Sequence, residues 1–255
     1  MTWQLKKLKK IQAKNSILVE GLPGMGNVGK IAVDFMIENL NAEKVLEITS
    51  HHFPHCVFVN EDNLVELPKI EIYQKNLKDK TLFLLAGDIQ PLDEISCYEF
   101  CEMLLGFLIE HKGKEIITLG GIGQQKIPDN PKVFCTGNTK SIIKQYAAKE
   151  LHTNIHGVVG PIIGVTGLLV GLAEQKNIPA IALLAETYSH PAHLGIKEAR
   201  EILKLLSKKL KLDLDLNQLN FEIEEIEKSK KKIDEIKKIG AFGKIKRREP
   251  TDYIG

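Results

Sequence analysis

The chain has 255 residues, of which 43% are hydrophobic and 27% charged, with a formal net charge of +2. That is the composition of a soluble globular protein, long enough for one large domain or two small ones. The small net charge, with Arg200, Arg247 and Arg248 as the only arginines, leaves no electrostatic footprint for nucleic acid and few forked groups for phosphate.

Short apolar runs alternate with helical patterns. Residues 16–20 (SILVE) read as a strand, 28–40 as an amphipathic helix and 45–48 as a second strand. Residues 57–59 and 64–73 read as a hairpin turning at Glu61-Asp62-Asn63. The continuously apolar TLFLLA, 81–86, predicts a central strand buried on both faces. A helix follows over 91–110, then a buried strand over 115–119 that ends at the glycines 120–123. Residues 138–150 read as a helix, 157–170 as a glycine-rich stretch turning helical to Gln175, 180–185 as a strand and 195–210 as a strongly periodic helix. Strands separated by helices of this length imply a mostly parallel α/β sheet with helices on both faces. The hairpin would add antiparallel strands at one edge.

The α/β core is expected over 1–217 and a charged helix over 218–239. That helix carries a narrow apolar stripe, including Ile223, Ile226, Ile233 and Ile236, suited to an oligomer contact. Residues 240–255 read as a flexible tail with a basic cluster at Lys244, Lys246, Arg247 and Arg248. It closes on Asp252, Tyr253, Ile254 and Gly255. A polar tether with an apolar tip and a terminal carboxylate suits capture in a partner's pocket.

Four cysteines, Cys56, Cys97, Cys101 and Cys135, form no C-x-x-C pair and support neither a zinc site nor a disulfide framework. Cys97 and Cys101 would share a helix face as small buried groups. The N-terminus lacks the apolar region of a signal peptide, and the weakly polar run 157–173 is broken by glycines and a proline. The expected setting is reduced and cytoplasmic, with no membrane partner.

The loop GLPGMGNVGK, 21–30, follows the first strand and opens the first helix. Gly24, Gly26 and Gly29 satisfy G-x-G-x-x-G, with Glu47 near the place of a ribose-binding acid. Gly24 to Lys30 also fits G-x-x-x-x-G-K, but Ile31 replaces the hydroxyl that holds magnesium. The scarcity of arginine favours a structural or protein-facing turn, with Gly21, Pro23, Gly24, Gly26, Asn27 and Gly29 in that role. The cluster HHFPHC, 51–56, has no second ligand pair at zinc spacing. Ser189 beside His190 is not a triad, and no G-x-S-x-G elbow exists. No nucleophile, base or metal set emerges, so neither catalysis nor a cofactor is expected.

The segment GLPGMGNVGKIAVDFMIENL, 21–40, resembles the opening signature of the proteasome assembly chaperone family, in its archaeal branch. The resemblance continues, in order, through LFLLAGDIQP, ITLGGIG and GPIIGVTGLLVGLAEQKNIPAIALLAET, and covers about 17–219. It implies a phosphorylase/hydrolase-like α/β domain without known catalysis. It also implies homo- or hetero-oligomers that help the α-subunits of the 20S proteasome to assemble. The label "ATP-grasp" sometimes given to such sequences finds no support in these residues. Some archaeal relatives end in a hydrophobic residue, tyrosine and any residue, a tail that inserts between proteasome α-subunits. Here the tyrosine is third from the end and Asp252 precedes it, so another assembly chaperone is a second candidate for the tail. The resulting expectation is a non-enzymatic, homo-oligomeric assembly chaperone. The alternatives are a nucleotide- or nucleoside-binding enzyme using loop 21–30, and a ring-shaped adaptor that binds another chaperone through its tails.

Overall fold

A computed structural model describes residues 3–147, 151–153, 155, 157, 160–221 and 223. The chain forms two compact units, Met1–Asp215 and Leu216–Gly255. In the second, residues 217–221 are helical and Ile223 is buried. Ile226, Ile233, Ile236 and the tail 240–255, with Asp252, Tyr253, Ile254 and Gly255, lie outside the described residues.

Among the described residues the first unit is built on a nine-stranded sheet. Its strands are β1 (Trp3–Lys7), β2 (Ser16–Glu20), β3 (Glu43–Ser50), β6 (Ile70–Asn76), β7 (Thr81–Gly87), β8 (Gly113–Gln124), β9 (Val133–Gly137), β10 (Leu151–His152) and β11 (Ala180–Tyr188). A separate hairpin, β4 (Phe58–Val59) and β5 (Val65–Glu66), falls between β3 and β6. The spatial order is β1-β3-β6-β7-β2-β8-β11-β9-β10. The central four strands, β7, β2, β8 and β11, are mutually parallel. On one flank β6, β3 and β1 run antiparallel to their neighbours, and on the other β9 runs antiparallel to β11. Every residue of β2 and β7 is buried. That is why residues 17–19 and 82–86 are apolar without alternation: parallel strands are covered on both faces.

The covers are helices. One pair, α1 (Val28–Asn39) and α5 (Ile196–Leu210), packs together on one face. The other pair, α2 (Glu94–Glu110) and α4 (Val165–Gln175), packs on the opposite face against Leu18, Phe83, Ile116 and Leu184. Helix α5 buries Ala199, Ile202, Leu203, Leu206 and Leu210, a one-sided stripe that encloses the core while its lysines face water. A short α3 (Lys140–Tyr146) lies against β9 and β11. No helix among the described residues is long and apolar enough to cross a membrane.

Several boundaries differ from the sequence reading. The run 64–73 is not one hairpin arm. It breaks after Glu66, and β6 joins the main sheet between β3 and β7. Helix α2 starts after Asp93, whose carboxylate accepts from Ser96 N at 2.9 Å as an N-cap. Helix α3 starts after its cap Thr139, and Ala147 is extended. The glycines 120–123 do not end their strand; β8 continues through them, paired with Leu184 to Thr187 of β11. The sequence pattern does not mark β1, β9 or β10. In β1 the sheet edge leaves four of five residues exposed, which erases the alternation.

Candidate functional site

The chain leaves β2 through α1 toward the β3 side, and leaves β7 through α2 to reach β8 on the other side of β2. The two crossovers lie on opposite faces, so a crevice opens beyond the C-terminal ends of the parallel strands. It is a cleft of about 960 Å³. Its walls are the glycine loop at Leu22, Gly24 and Met25, the start of α2 at Gln90 to Tyr98, the glycines of β8, and the segment 160–168 that opens α4.

The glycine loop is packed rather than splayed. A Cβ on Gly21 would strike the carbonyl oxygen of Gly29, one on Gly29 that of Leu119, and one on Gly121 that of Met25. Turn, helix and strand therefore touch backbone to backbone. Gly26 has φ 62°, a left-handed conformation, and its Cβ would lie 2.5 Å from Thr187 Oγ1. Asn27 is also left-handed, at φ 51°. Gly195 N donates to Gly26 O at 2.8 Å, tying the loop to the start of α5. Gly24 has open space around it. Gln90 holds the opposite wall: its Nε2 donates to Pro23 O at 2.8 Å and its Oε1 accepts from Val165 N at 3.3 Å.

Glu20, the last residue of β2, is fully buried. Its Oε1 accepts from Leu22 N at 3.0 Å and its Oε2 from Thr166 Oγ1 at 3.2 Å. Burial pushes its carboxyl up to about 7, against the opposing pull of those hydrogen bonds. A neighbouring pair of thiols, Cys97 and Cys101, lies on α2, and hydrogen bonding to Cys97 with burial raises Cys101. A second polar knot lies behind the loop. Glu198 Oε1 accepts from Thr187 Oγ1 at 3.0 Å and lies 3.0 Å from His193 Nε2. It fastens the segment after β11 onto α5, beside a small recess shared by Gly26, Asn27 and Ser189. Ser189 Oγ donates to Gln124 O at 2.7 Å, so it is engaged with backbone rather than with a base.

The nucleotide motifs fare poorly in this setting. Between β3 and β2 stand β6 and β7, so Glu47 is about 14 Å across the sheet from the loop at ordinary strand spacing. Glu47 lies 3.8 Å from the ammonium of Lys6. Lys30 is paired with Asp34 at 2.8 Å along α1. His51, His55 and Cys56 border a separate recess, and His52 stacks on Trp3. Among the described residues no group of three or more His, Cys, Asp or Glu is placed to hold a metal ion. Gln90, Thr166 and Glu20 were not singled out from the sequence. The available signal was Glu20, a carboxylate closing an apolar strand immediately before GLPG.

The protein is thus an α/β scaffold with a switch-point cleft walled by glycine backbone, apolar side chains and the polar Gln90, Asp93, Glu94 and Thr166. A model of the PAC2 family matches residues 18–234, and the chain belongs to that family, the proteasome assembly chaperone family. It is 30% identical over 240 residues to MJ1210 of Methanocaldococcus jannaschii, covering 93% of this chain and 88% of that one. Among solved structures it resembles Pyrococcus furiosus PbaB, an archaeal proteasome activator. The TM-score is 0.84 and the identity 29%, over 92% of this chain and 100% of that one. It shares the fold of Pyrococcus furiosus PbaA, an archaeal homolog of proteasome-assembly chaperone, with TM-score 0.77 and identity 22% over 94% and 95% of the two chains.

Proposed function

We propose that the protein is a non-enzymatic chaperone of the cytoplasm that assists assembly of the 20S proteasome through its α-subunits, acting as a homo-oligomer. The observation that carries this reading is the likeness to PbaB, an archaeal proteasome activator, over the whole of that chain. The cleft supports it. Its walls combine glycine backbone and apolar groups with Gln90, Asp93, Glu94 and Thr166, and its rim leaves Met25, Leu92, Tyr98 and Ile163 exposed, a surface of the kind that proteins dock on. The packing of Gly21 and Gly29 against backbone, and the distance of Glu47, weigh against the nucleotide-binding alternative. Within this reading the tail 240–255 is a docking element, with Tyr253 and Ile254 as its anchors.

The test is retention of proteasome α-subunits by the full-length chain and by a chain ending at Ile239. Full-length protein should retain them and the shortened one should lose them. Failure of the full-length chain to retain α-subunits would sink the chaperone reading. Equal retention by both would sink the tail alone.

A further inference from the structure

Strand β8 outlasts the strand beside it. Its pairing with β2 stops at Thr118, opposite Glu20, while its pairing with β11 runs on to Gln124. Beyond Thr118, therefore, one edge of a central strand has lost its ladder partner. Gly120, Gly121, Ile122 and Gly123 of that stretch border the cleft.

Main-chain groups alternate along a strand, and two bonds fix the phase here. Ile116 N donates to Pro179 O, and Gln124 O accepts from Ser189 N, both on the β11 side. The even-numbered residues between them thus turn N–H and C=O toward β11, and the odd-numbered ones turn theirs to the other edge. On that edge Leu119 N donates to the buried Glu20 carboxylate. Gly121 and Gly123 come next. Met25 O lies where a Cβ of Gly121 would stand, which is over the face of the strand and not at its edge. An unpaired edge is a template for another strand, and glycine within a strand lets a second backbone come close.

The side chains of the cleft state what can lie along this edge. Among the described residues its charged groups are Asp93 and Glu94, both acidic. Leu92, Tyr98 and Ile163 add exposed apolar surface. Anionic ligands are disfavoured, and cationic ones are favoured.

We propose that the cleft takes an extended, cationic segment of a partner protein, which pairs with β8 at Gly121 and Gly123 as an added strand and sets a lysine or arginine against Asp93 and Glu94. This rests on the reading of the cleft as a docking surface and adds the chemistry of what docks there. Recognition through main chain has a period of two: alternate peptide N–H groups of the guest carry it, and those between them do not.

Fluorescence anisotropy with the full chain and a capped KVLVK peptide tests it. Binding should saturate with a Kd below about 1 mM. Two isomers of the peptide, N-methylated on one or the other alternate set of peptide nitrogens, should differ about tenfold in affinity, because only one keeps the donors that face β8. A capped EVLVE peptide should bind about tenfold more weakly than KVLVK, and Glu94→Lys should narrow that gap. No saturable binding of KVLVK, isomers that bind equally well, or equal affinity for KVLVK and EVLVE would each overturn the proposal. Proteasome α-subunits retained without peptide binding would leave the chaperone reading standing and remove the added strand. Period-two peptide binding without retention of α-subunits would do the reverse.

Discussion

Replacing Gly29 by alanine separates a packing role of the glycine loop from a ligand role. Gly29 lies in the first turn of α1, so alanine's helix propensity favours the substitution by about 1 kcal/mol. Against this, the new methyl would fall about 1 Å inside contact distance of Leu119 O. That oxygen belongs to a central strand buried on both faces, so α1 must move off the sheet. Overpacking a close-packed interior costs about 3 kcal/mol in such cases. The net expectation is a loss of about 2 kcal/mol, a fall in Tm of about 4 to 8 °C for a unit of this size. Gly24→Ala is the matched control. It meets nothing within 4 Å, and its φ of −159° is ordinary extended backbone. Its stability should stay within about 0.5 kcal/mol of wild type. Urea unfolding of the two variants measures both. A Gly29→Ala protein as stable as Gly24→Ala would refute the reasoning, because the backbone contact would then be carrying no constraint.

Gly26→Ala should cost about 1 kcal/mol or more, from the left-handed φ of 62° and the contact with Thr187; thermal unfolding reads it, and an unchanged Tm counts against it. Isothermal titration with ATP, GTP or NAD should show nothing tighter than about 1 mM, and micromolar affinity lost in Gly26→Val would reinstate the nucleotide site. Glu20 supplies a pH test. Its carboxyl is raised from 4.5 to about 7, so between those values the folded state holds a proton that the unfolded state has released. Stability should therefore fall as pH rises through that window and level off above it, by up to about 3 kcal/mol. Glu20→Gln has no proton to lose, so the wild-type-minus-variant difference should shift by that amount between pH 5 and pH 8. A difference that stays constant with pH removes Glu20 from the account.

The α/β class was readable because β2 and β7 are covered on both faces and α5 on one. The first two give unbroken apolar runs and the third a clean period, and each arises directly from burial. The edges were not readable for the same reason in reverse. Trp3–Lys7 borders solvent, and its residues carry no record of the strand they pair with. The hairpin's register was misplaced because Leu64 to Tyr73 is apolar at intervals throughout. Pro68, between Val65, exposed beside its own partner strand, and Ile72, buried between β3 and β7, is the local mark of the break. Boundaries set by side-chain capping, at Asp93 and Thr139, were written in the sequence but required knowing which carboxylate or hydroxyl turns back on the helix.

The glycine loop shows why a local motif and a site are different things. G-x-G-x-x-G specifies three places where backbone must approach backbone, and a dinucleotide fold uses one of those approaches for pyrophosphate. Here Gly26 closes on Thr187 and Gly29 on Leu119 with no room for a Cβ, both on the protein itself, while Gly24 has open space around it. The acid that would complete the nucleotide site is also present in the sequence at a suitable separation. In a dinucleotide-binding sheet the strand after the first helix lies beside the first strand. In this chain it lies three places away, because β6 and β7 occupy the intervening positions. Sequence separation is blind to that insertion. Strand order thus decides whether Glu47 can share a ligand with Gly26, and it places the two on opposite sides of two intervening strands.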